Sequence, residues 1–397
     1  MKLELTVDRV AIGGDGIARE PDGRVVFVTG ALPGERVRVE VTARARDFWR
    51  ASVTEVLVAA PARRNEPCPW VRAGCGGCDW QHVDPAAQLT LKVDMARDAL
   101  IRQGRLAAPF LVAGARLEDA GYRTTVRLGV AGDGSVGFRR VRSHDLVSID
   151  DCLVAHPAIA SLIPSLRVAG ATEIVLRVSE ATGEITVLPI GEAERGGRLN
   201  TARIDGLGPT VQVGDGAVLY EVVAGRRLRV SAASFFQSSA RSAEILVDAV
   251  RRSAGEPAPS AWADLYGGVG VFAATLWPEA PVTLVEMSPS SCADARVNLQ
   301  ARPASVVELD VEHWRPQEVD VVVADPARSG LGRAGADAVA ATGAGRVVLV
   351  SCDLAALGRD TRLLVERGYR HLRSEVVDLF PNTAHAEVVT AFGRSDA

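Results

Sequence analysis

The chain has 397 residues, 47% of them hydrophobic and 24% charged, with a formal net charge of −4. This is ordinary globular composition, long enough for two or three domains, and it excludes both a disordered chain and a uniformly basic nucleic-acid binder. No apolar stretch approaches the ~18–20 residues of a membrane span, and Met1-Lys-Leu-Glu-Leu-Thr-Val7 alternates like a strand without a signal-peptide core, so a cytoplasmic protein with no membrane partner is expected.

Residues 1 to about 60 read as short strands, Leu3–Val10, Arg24–Thr29, Glu35–Thr42 and Ala51–Val58, punctuated by Gly13-Gly-Asp-Gly16 and Leu32-Pro-Gly34. Regular spacing of this kind predicts a small β-barrel. Arg36, Arg38, Arg44, Arg46, Arg50, Arg63 and Arg64 lie here with Phe48 and Trp49 among them. Cations interleaved with aromatics suit single-stranded nucleic acid, although a solvated strand face would look the same. Residues 61–67 form a linker, and a helix is predicted over 85–104 with Leu89, Val93, Ala96 and Leu100 on one face. Residues 120–225 mix strands and turns; from about 240 onward helices and strands alternate, which predicts a parallel sheet with right-handed crossovers.

Between linker and helix lies Cys68-Pro-Trp-Val-Arg-Ala-Gly-Cys-Gly-Gly-Cys78, and a fourth thiol, Cys152, follows in Asp150-Asp-Cys-Leu-Val-Ala-His156. The glycines let several thiolates converge, and in a cytosolic protein such spacing favours a metal over disulfides. Cys68, Cys75, Cys78 and Cys152 suit either a structural zinc or an iron–sulfur cluster, and spacing does not choose between them. Cys292, in a predicted helix, reads as core.

Three apolar runs then end in chemistry. Ala261-Trp-Ala-Asp-Leu-Tyr-Gly-Gly-Val-Gly270 closes in a glycine-rich turn at a helix start, a cradle for a nucleoside cofactor. Residues 268–273 satisfy G-x-G-x-x-A, and Glu286 ends the next strand where a carboxylate would grip ribose hydroxyls, so NAD and S-adenosylmethionine both fit. Val319-Asp-Val-Val-Val-Ala-Asp-Pro-Ala-Arg328 ends in an acid and an arginine, and Arg346-Val-Val-Leu-Val-Ser-Cys-Asp353 ends in a thiol. Carboxyl ends of parallel strands are where open α/β sheets do chemistry.

Taken in order, the four cysteines, Phe235-Phe-Gln237, Asp264-Leu-Tyr-Gly-Gly-Val-Gly270, Asp325-Pro-Ala-Arg328, Ser351-Cys352 and Phe380-Pro-Asn-Thr-Ala-His-Ala-Glu387 resemble the RNA uracil-5-methyltransferase family, including its 23S rRNA members that carry an iron–sulfur cluster. Gly13-Gly-Asp-Gly-Ile-Ala-Arg19 with Val26-Phe-Val-Thr-Gly-Ala-Leu-Pro-Gly-Glu35 resembles the TRAM domain, an OB-like RNA-binding barrel. The resemblance implies a multidomain α/β protein: a TRAM-like barrel over 1–60, a β-rich cysteine-bearing central domain over 61–225, and a Rossmann-like class I methyltransferase domain over 226–397. The helix near 85–104 is expected to pack on the last of these. By the same resemblance Cys352 is the nucleophile and Glu387 the proton acceptor. Gln237, Tyr266, Glu286, Asp310 and Asp325 contact S-adenosylmethionine, and Cys68, Cys75, Cys78 and Cys152 hold a 4Fe-4S cluster. Arg328 orders the rim or meets the substrate backbone, or serves a structural ion pair. Arg123, Arg127, Arg139, Arg140 and Arg142 are candidate phosphate contacts. The implied partner is RNA, ribosomal first and transfer RNA second; nothing in the sequence demands a protein partner.

Five departures from the family pattern stand out. The Cys68–Cys75 spacing is one residue longer than usual, Val271 replaces a common asparagine, Ser238-Ser239 follows Gln237 in place of valine–asparagine, Asp325-Pro-Ala-Arg replaces Asp-Pro-Pro-Arg, and Ser-Cys-Asp replaces Ser-Cys-Asn. Rival readings are an NAD-dependent oxidoreductase, which leaves Cys352 and Glu387 without a task, and a non-catalytic RNA-binding factor, which does not need them intact.

Overall fold

The computed structural model describes residues 1–141, 143–191 and 202–394; Arg142 lies outside them. Lys2–Val10, Gly16–Arg19, Val25–Thr29, Arg36–Arg44 and Phe48–Val58 close into a five-stranded barrel. Period-two alternation sends Leu5, Val7, Val26, Val28, Val37 and Val39 into its core. The spacing predicted four strands. The extra one, Gly16–Arg19, is short and buries three consecutive small or apolar residues, so it carries no alternation to read.

A six-stranded sheet follows, in the order Gln212–Val213, Ile185–Ile190, Glu173–Val178, Thr125–Val130, Val136–Arg139 and Leu146–Ser148. All its pairs are antiparallel except the first. Leu128, Ile174 and Leu176 on its inner face pack against Ile159, Ile163 and Leu166.

The third body is built on eight strands in the order Ala304–Glu308, Val282–Glu286, Trp262–Leu265, Val321–Ala324, Arg346–Ser351, Glu387–Arg394, Tyr369–Asp378 and Leu111–Arg116. The first five run parallel; Glu387–Arg394 is antiparallel to both neighbours. Successive residues of the central strands feed opposite cores. Trp262, Leu284, Val323 and Val348 face one side, and Ala263, Val285, Val322 and Val347 the other. Burial on both faces is why these segments read as unbroken apolar runs.

Leu111–Arg116 comes from far upstream, so the C-terminal sheet draws its edge strand from the stretch between the cysteine loop and the central sheet. The helix Pro85–Arg102 lies on the same body, its Met95, Ala96, Ala99 and Leu100 sharing a core with Leu354, Leu357, Val376 and Val388. It crosses the helix Leu354–Val365 closely at Gly358, where an added Cβ would stand 2.7 Å from the Ala99 carbonyl. The buried stripe is rotated from the expected one. It runs through Gln88 and Lys92, while Leu89 and Val93 are only half-buried.

The reason is the loop that follows Asp378. Lys92 is wholly buried and its Nζ donates to Asp378 Oδ1 (2.5 Å) and to the Phe380 carbonyl (3.1 Å). Burial pulls the Lys92 pKa down and the Asp378 carboxylate opposes that shift. Removing one partner of such a pair leaves an uncompensated charge in apolar surroundings. Lys92→Met is therefore expected to cost ~3–5 kcal/mol, read as a lower denaturation midpoint for the C-terminal body. A midpoint within error of wild type would show that Asp378 finds another donor.

Candidate active site

The strand order puts Trp262–Leu265 beside both Val282–Glu286 and Val321–Ala324, which makes its carboxyl end a topological switch point. Beyond it Tyr266 takes φ 60° and Gly270 φ 87°. A tyrosine in the left-handed region is strained, and such strain concentrates where a turn must expose backbone to a ligand. Glu286 braces this turn: its Oε2 accepts from Gly268 N–H (3.0 Å) and its Oε1 from Ser288 N–H (2.7 Å). Tyr266 OH is pushed up to about 12 by burial, with Asp310 adding to it, so those two residues face one space. Asp310 also caps the turn Val311–His313 through Glu312 N–H. Gln237 donates to Asp325 Oδ2 (3.3 Å), tying the Phe235–Gln237 segment to the end of Val321–Ala324.

Cys352 directly follows Arg346–Ser351 and is half-buried. Asp353 caps the helix Leu354–Val365 by accepting from Ala356 N–H (2.8 Å). Asparagine would cap equally well, so the Asp353 departure is conservative. The antiparallel register pairs Ser351 with Val388, which brings Cys352 and Glu387 together one step further along the ladder. Glu387 is 3% exposed, and its Oε1 has no hydrogen-bond partner among the described residues. Burial raises its pKa well above the carboxylate range, and Asp325 raises it further. Burial also lifts Asp325 to about 7. The Cys352 thiol is pushed up to about 12, first by burial, then by Glu387 and Asp325, with Arg328 opposing. The Cys352 thiol and the Asp325 and Glu387 carboxyls thus lie near enough to disfavour one another's ionised forms.

Two features of this rim escaped the sequence reading. Asp264 is fully buried, caps Val271–Thr275 by accepting from Ala273 N–H (3.0 Å), and is raised to about 8 by burial. Its Oδ1 has no partner among the described residues. Phe235, Met287 and Leu309 are also exposed, by 70%, 66% and 46%, each one or two residues from a site residue. Apolar side chains left in solvent beside polar site residues offer faces for flat rings. Their place beside Gln237, Glu286 and Asp310 was the available signal. Cys292, expected as core, is buried and donates to the Glu286 carbonyl (3.2 Å).

Cys68, Cys75, Cys78 and Cys152 line one cavity with Trp70, Val71, Phe138, Ile149, Leu153 and Val154. Burial pushes Cys78 up to about 12 and raises Cys75 and Cys152, and neighbouring thiols add to each shift. Among the described residues no three His, Cys, Asp or Glu side chains converge closely enough to clasp a single metal ion. Arg123 belongs to this site and not to an exposed phosphate-binding face: it lines the cavity and lowers the pKa of Cys78 and Cys152. Arg127 and Arg139 are exposed and share Glu173, while Arg140 donates to the Ala73 carbonyl (3.0 Å).

On the barrel, Arg24 and Arg44 lie 4.5 and 4.8 Å from the Trp49 ring centroid, and Arg50 lies over Phe27 and Phe48. Other arginines of this set are structural. Arg63 grips the buried Glu35, and Arg38 pairs with Glu4 and Glu55.

Sheet order, glycine-rich turn and acidic rim define a class I methyltransferase fold carrying an amino-terminal barrel. Residues 2–54 match the TRAM domain family. Over 98% of its length the chain is 34% identical to an RNA methyltransferase of Streptomyces avermitilis, covering 97% of that protein. It is also 34% identical to a 23S rRNA (uracil(1939)-C(5))-methyltransferase of Chromohalobacter salexigens, over 96% of this chain and 87% of that one. The crystal structure of Pyrococcus abyssi tRNA (uracil-54, C5)-methyltransferase with S-adenosyl-L-homocysteine shares the fold, with a TM-score of 0.73, 21% identity and coverage of 98% and 100%. The chain belongs to the RNA uracil-5-methyltransferase family.

Proposed function

We propose that this enzyme methylates carbon 5 of a uridine in 23S rRNA through a covalent bond between Cys352 and the uracil ring. What carries the reading is the placement of a thiol and a buried carboxylate opposite one another at the ends of adjacent strands, beside a cofactor turn. The full-length relative of Chromohalobacter salexigens, named for ribosomal RNA, favours that substrate.

Gln237, Tyr266, Glu286, Asp310 and Asp325 would hold S-adenosylmethionine, and the Asp264 and Glu387 oxygens left without a partner among the described residues suit a cationic ligand. When bound, S-adenosylmethionine supplies an electrophilic methyl group. Uracil carbon 5 is a poor nucleophile on its own. Addition of Cys352 Sγ to carbon 6 places electron density on carbon 5, splitting one hard step into easier ones. Once carbon 5 carries its new group, Glu387 takes the remaining carbon-5 proton, the ring regains its double bond, and the sulfur leaves. A raised pKa makes Glu387 a stronger base once ionised. A cationic ligand held near Asp325, Glu387 and Cys352 would oppose the upward shifts that burial gives these groups. The target base must leave its stack to reach Cys352, at a cost of a few kcal/mol. Phe235 and the Trp49 platform of the barrel offer stacking surfaces that offset it.

Cys68, Cys75, Cys78 and Cys152 would hold a 4Fe-4S cluster; what supports the reading is that all four thiols line one cavity. When bound, such a cluster would pin the central domain. Anaerobically purified protein should be brown, with broad absorbance in the visible blue and about four iron atoms per chain. Stoichiometric zinc without iron reverses the assignment. The substrate is tested by mapping 5-methyluridine in ribosomal and transfer RNA from a strain lacking the gene. Loss of one ribosomal site is expected, and loss from transfer RNA alone rejects the ribosomal assignment.

A further inference from the structure

The loop between Phe380 and Glu387 is tied to parts of the chain hundreds of residues away. Asn382 is fully buried in the left-handed region at φ 66°. Its N–H donates to Gln88 Oε1 (2.7 Å), its carbonyl accepts from Trp80 N–H (2.9 Å), Nδ2 donates to the Asp119 carbonyl (2.7 Å), and Oδ1 accepts from Arg64 Nη2 (2.9 Å). Tyr122 OH donates to the Pro381 carbonyl (3.0 Å). Further along, Ala384 N–H donates to Asp79 Oδ1 (3.0 Å), three residues before Glu387. Asp79 and Trp80 directly follow Cys78, and Gln81 Oε1 accepts from Cys68 N–H (3.1 Å). The cysteine loop and the loop that delivers the base are one hydrogen-bonded seam.

We propose that Asp79 is a positioning residue for Glu387: by holding Ala384 it sets the aim of the base and couples the cysteine site to proton removal. This inference rests on the covalent reading given above. Glu387 Oε1 has no hydrogen-bond partner among the described residues, and the backbone leading into Glu387 is what Asp79 holds. Both groups stand at the sheet end: Cys352 follows Arg346–Ser351, and Glu387 opens Glu387–Arg394, which is laddered to Arg346–Ser351 and Tyr369–Asp378. What differs is the approach, because the segment leading into Glu387 carries the Asp79 contact and the strand leading into Cys352 does not. Addition of sulfur to the ring should therefore survive loss of Asp79, whereas release should not. A misplacement of about 1 Å at a reacting group costs on the order of 10²-fold in rate. Asp79 is itself exposed, so replacing it leaves no cavity in a core.

The test uses full-length, iron-replete enzyme with RNA substrate. Asp79→Leu is expected to lower kcat by about 10- to 100-fold with KM for RNA, iron content and Tm near wild type, and to accumulate a protein–RNA adduct on denaturing gels. Asp79→Asn, whose amide oxygen still accepts from Ala384 N–H, should stay within about threefold of wild type. Asp79→Ala gives the same readout should leucine not be tolerated. Equal losses in the Leu and Asn variants without adduct, or wild-type turnover by Asp79→Leu, overturn the proposal. Wild-type enzyme that captures no adduct with 5-fluorouridine RNA overturns the covalent reading and this inference with it. Capture by wild type combined with normal turnover by Asp79→Leu overturns the inference alone.

Discussion

Cys352→Ala should reduce RNA methylation to background, a loss of more than about 10⁴-fold, while RNA affinity changes by less than about threefold. The first number follows from chemistry: without an adding sulfur, carbon 5 has no route to nucleophilicity that this rim supplies. The second follows from position. Cys352 is half-buried at a strand end, remote in sequence from the Trp49 face of the barrel, and Ser351 and Asp353 keep the backbone paired and the next helix capped. The burial that pushes the thiol up to about 12 also makes it inert in the empty enzyme, so it is protected until the site fills. Measurable turnover by the alanine variant would remove sulfur from the mechanism. Mass spectrometry of a 5-fluorouridine adduct gives the complementary positive test.

Glu387→Gln should separate bond formation from release. Glutamine matches glutamate in shape, and at this buried position it no longer adds to the repulsion that lifts Cys352, so addition to the ring is spared. Removal of the carbon-5 proton is not spared. Loss of a placed general base costs typically 10²–10⁴-fold, and the enzyme should accumulate as a methylated protein–RNA adduct approaching one per chain. Unimpaired multiple turnover with no adduct would assign the proton to another group. The Glu387 variant and Asp79→Leu should then differ in degree and not in kind, because one removes the base and the other only its aim.

Much of this was legible in the sequence because of where the chemistry sits. Parallel strands buried on both faces announce themselves as apolar runs, and their ends fall on Tyr266, Glu286, Asp325 and Cys352 without any need for a structure. The barrel was legible by its turns, though Gly16–Arg19 was too short to show a period. Less legible was everything that depends on distant pairing. Nothing local marks Leu111–Arg116 as the edge of a sheet whose neighbour is Tyr369–Asp378. Lys92 and Gln88 sit on a helix whose apolar pattern points one residue aside, because their polar ends serve a loop near the other end of the chain. Asp79 reads as a residue trailing a cysteine motif, and Arg123 as one cation among several. Only tertiary contact shows that one meets the loop leading into Glu387 and the other the thiols.

The pairing of Lys92 with Asp378 spans 286 residues, and it carries a lesson about biosynthesis. On the ribosome, the helix bearing Lys92 emerges long before the strand it docks on, and the cysteine loop beside it emerges earlier still. Barrel and central sheet can fold as they appear, but the catalytic body has to wait until translation is nearly complete. A nascent chain halted before Tyr369 would leave Leu111–Arg116 without its neighbour, an open invitation to aggregation. Assembly of the rim that carries Cys352 and Glu387 is thereby postponed to that late moment, when the last strand closes the sheet.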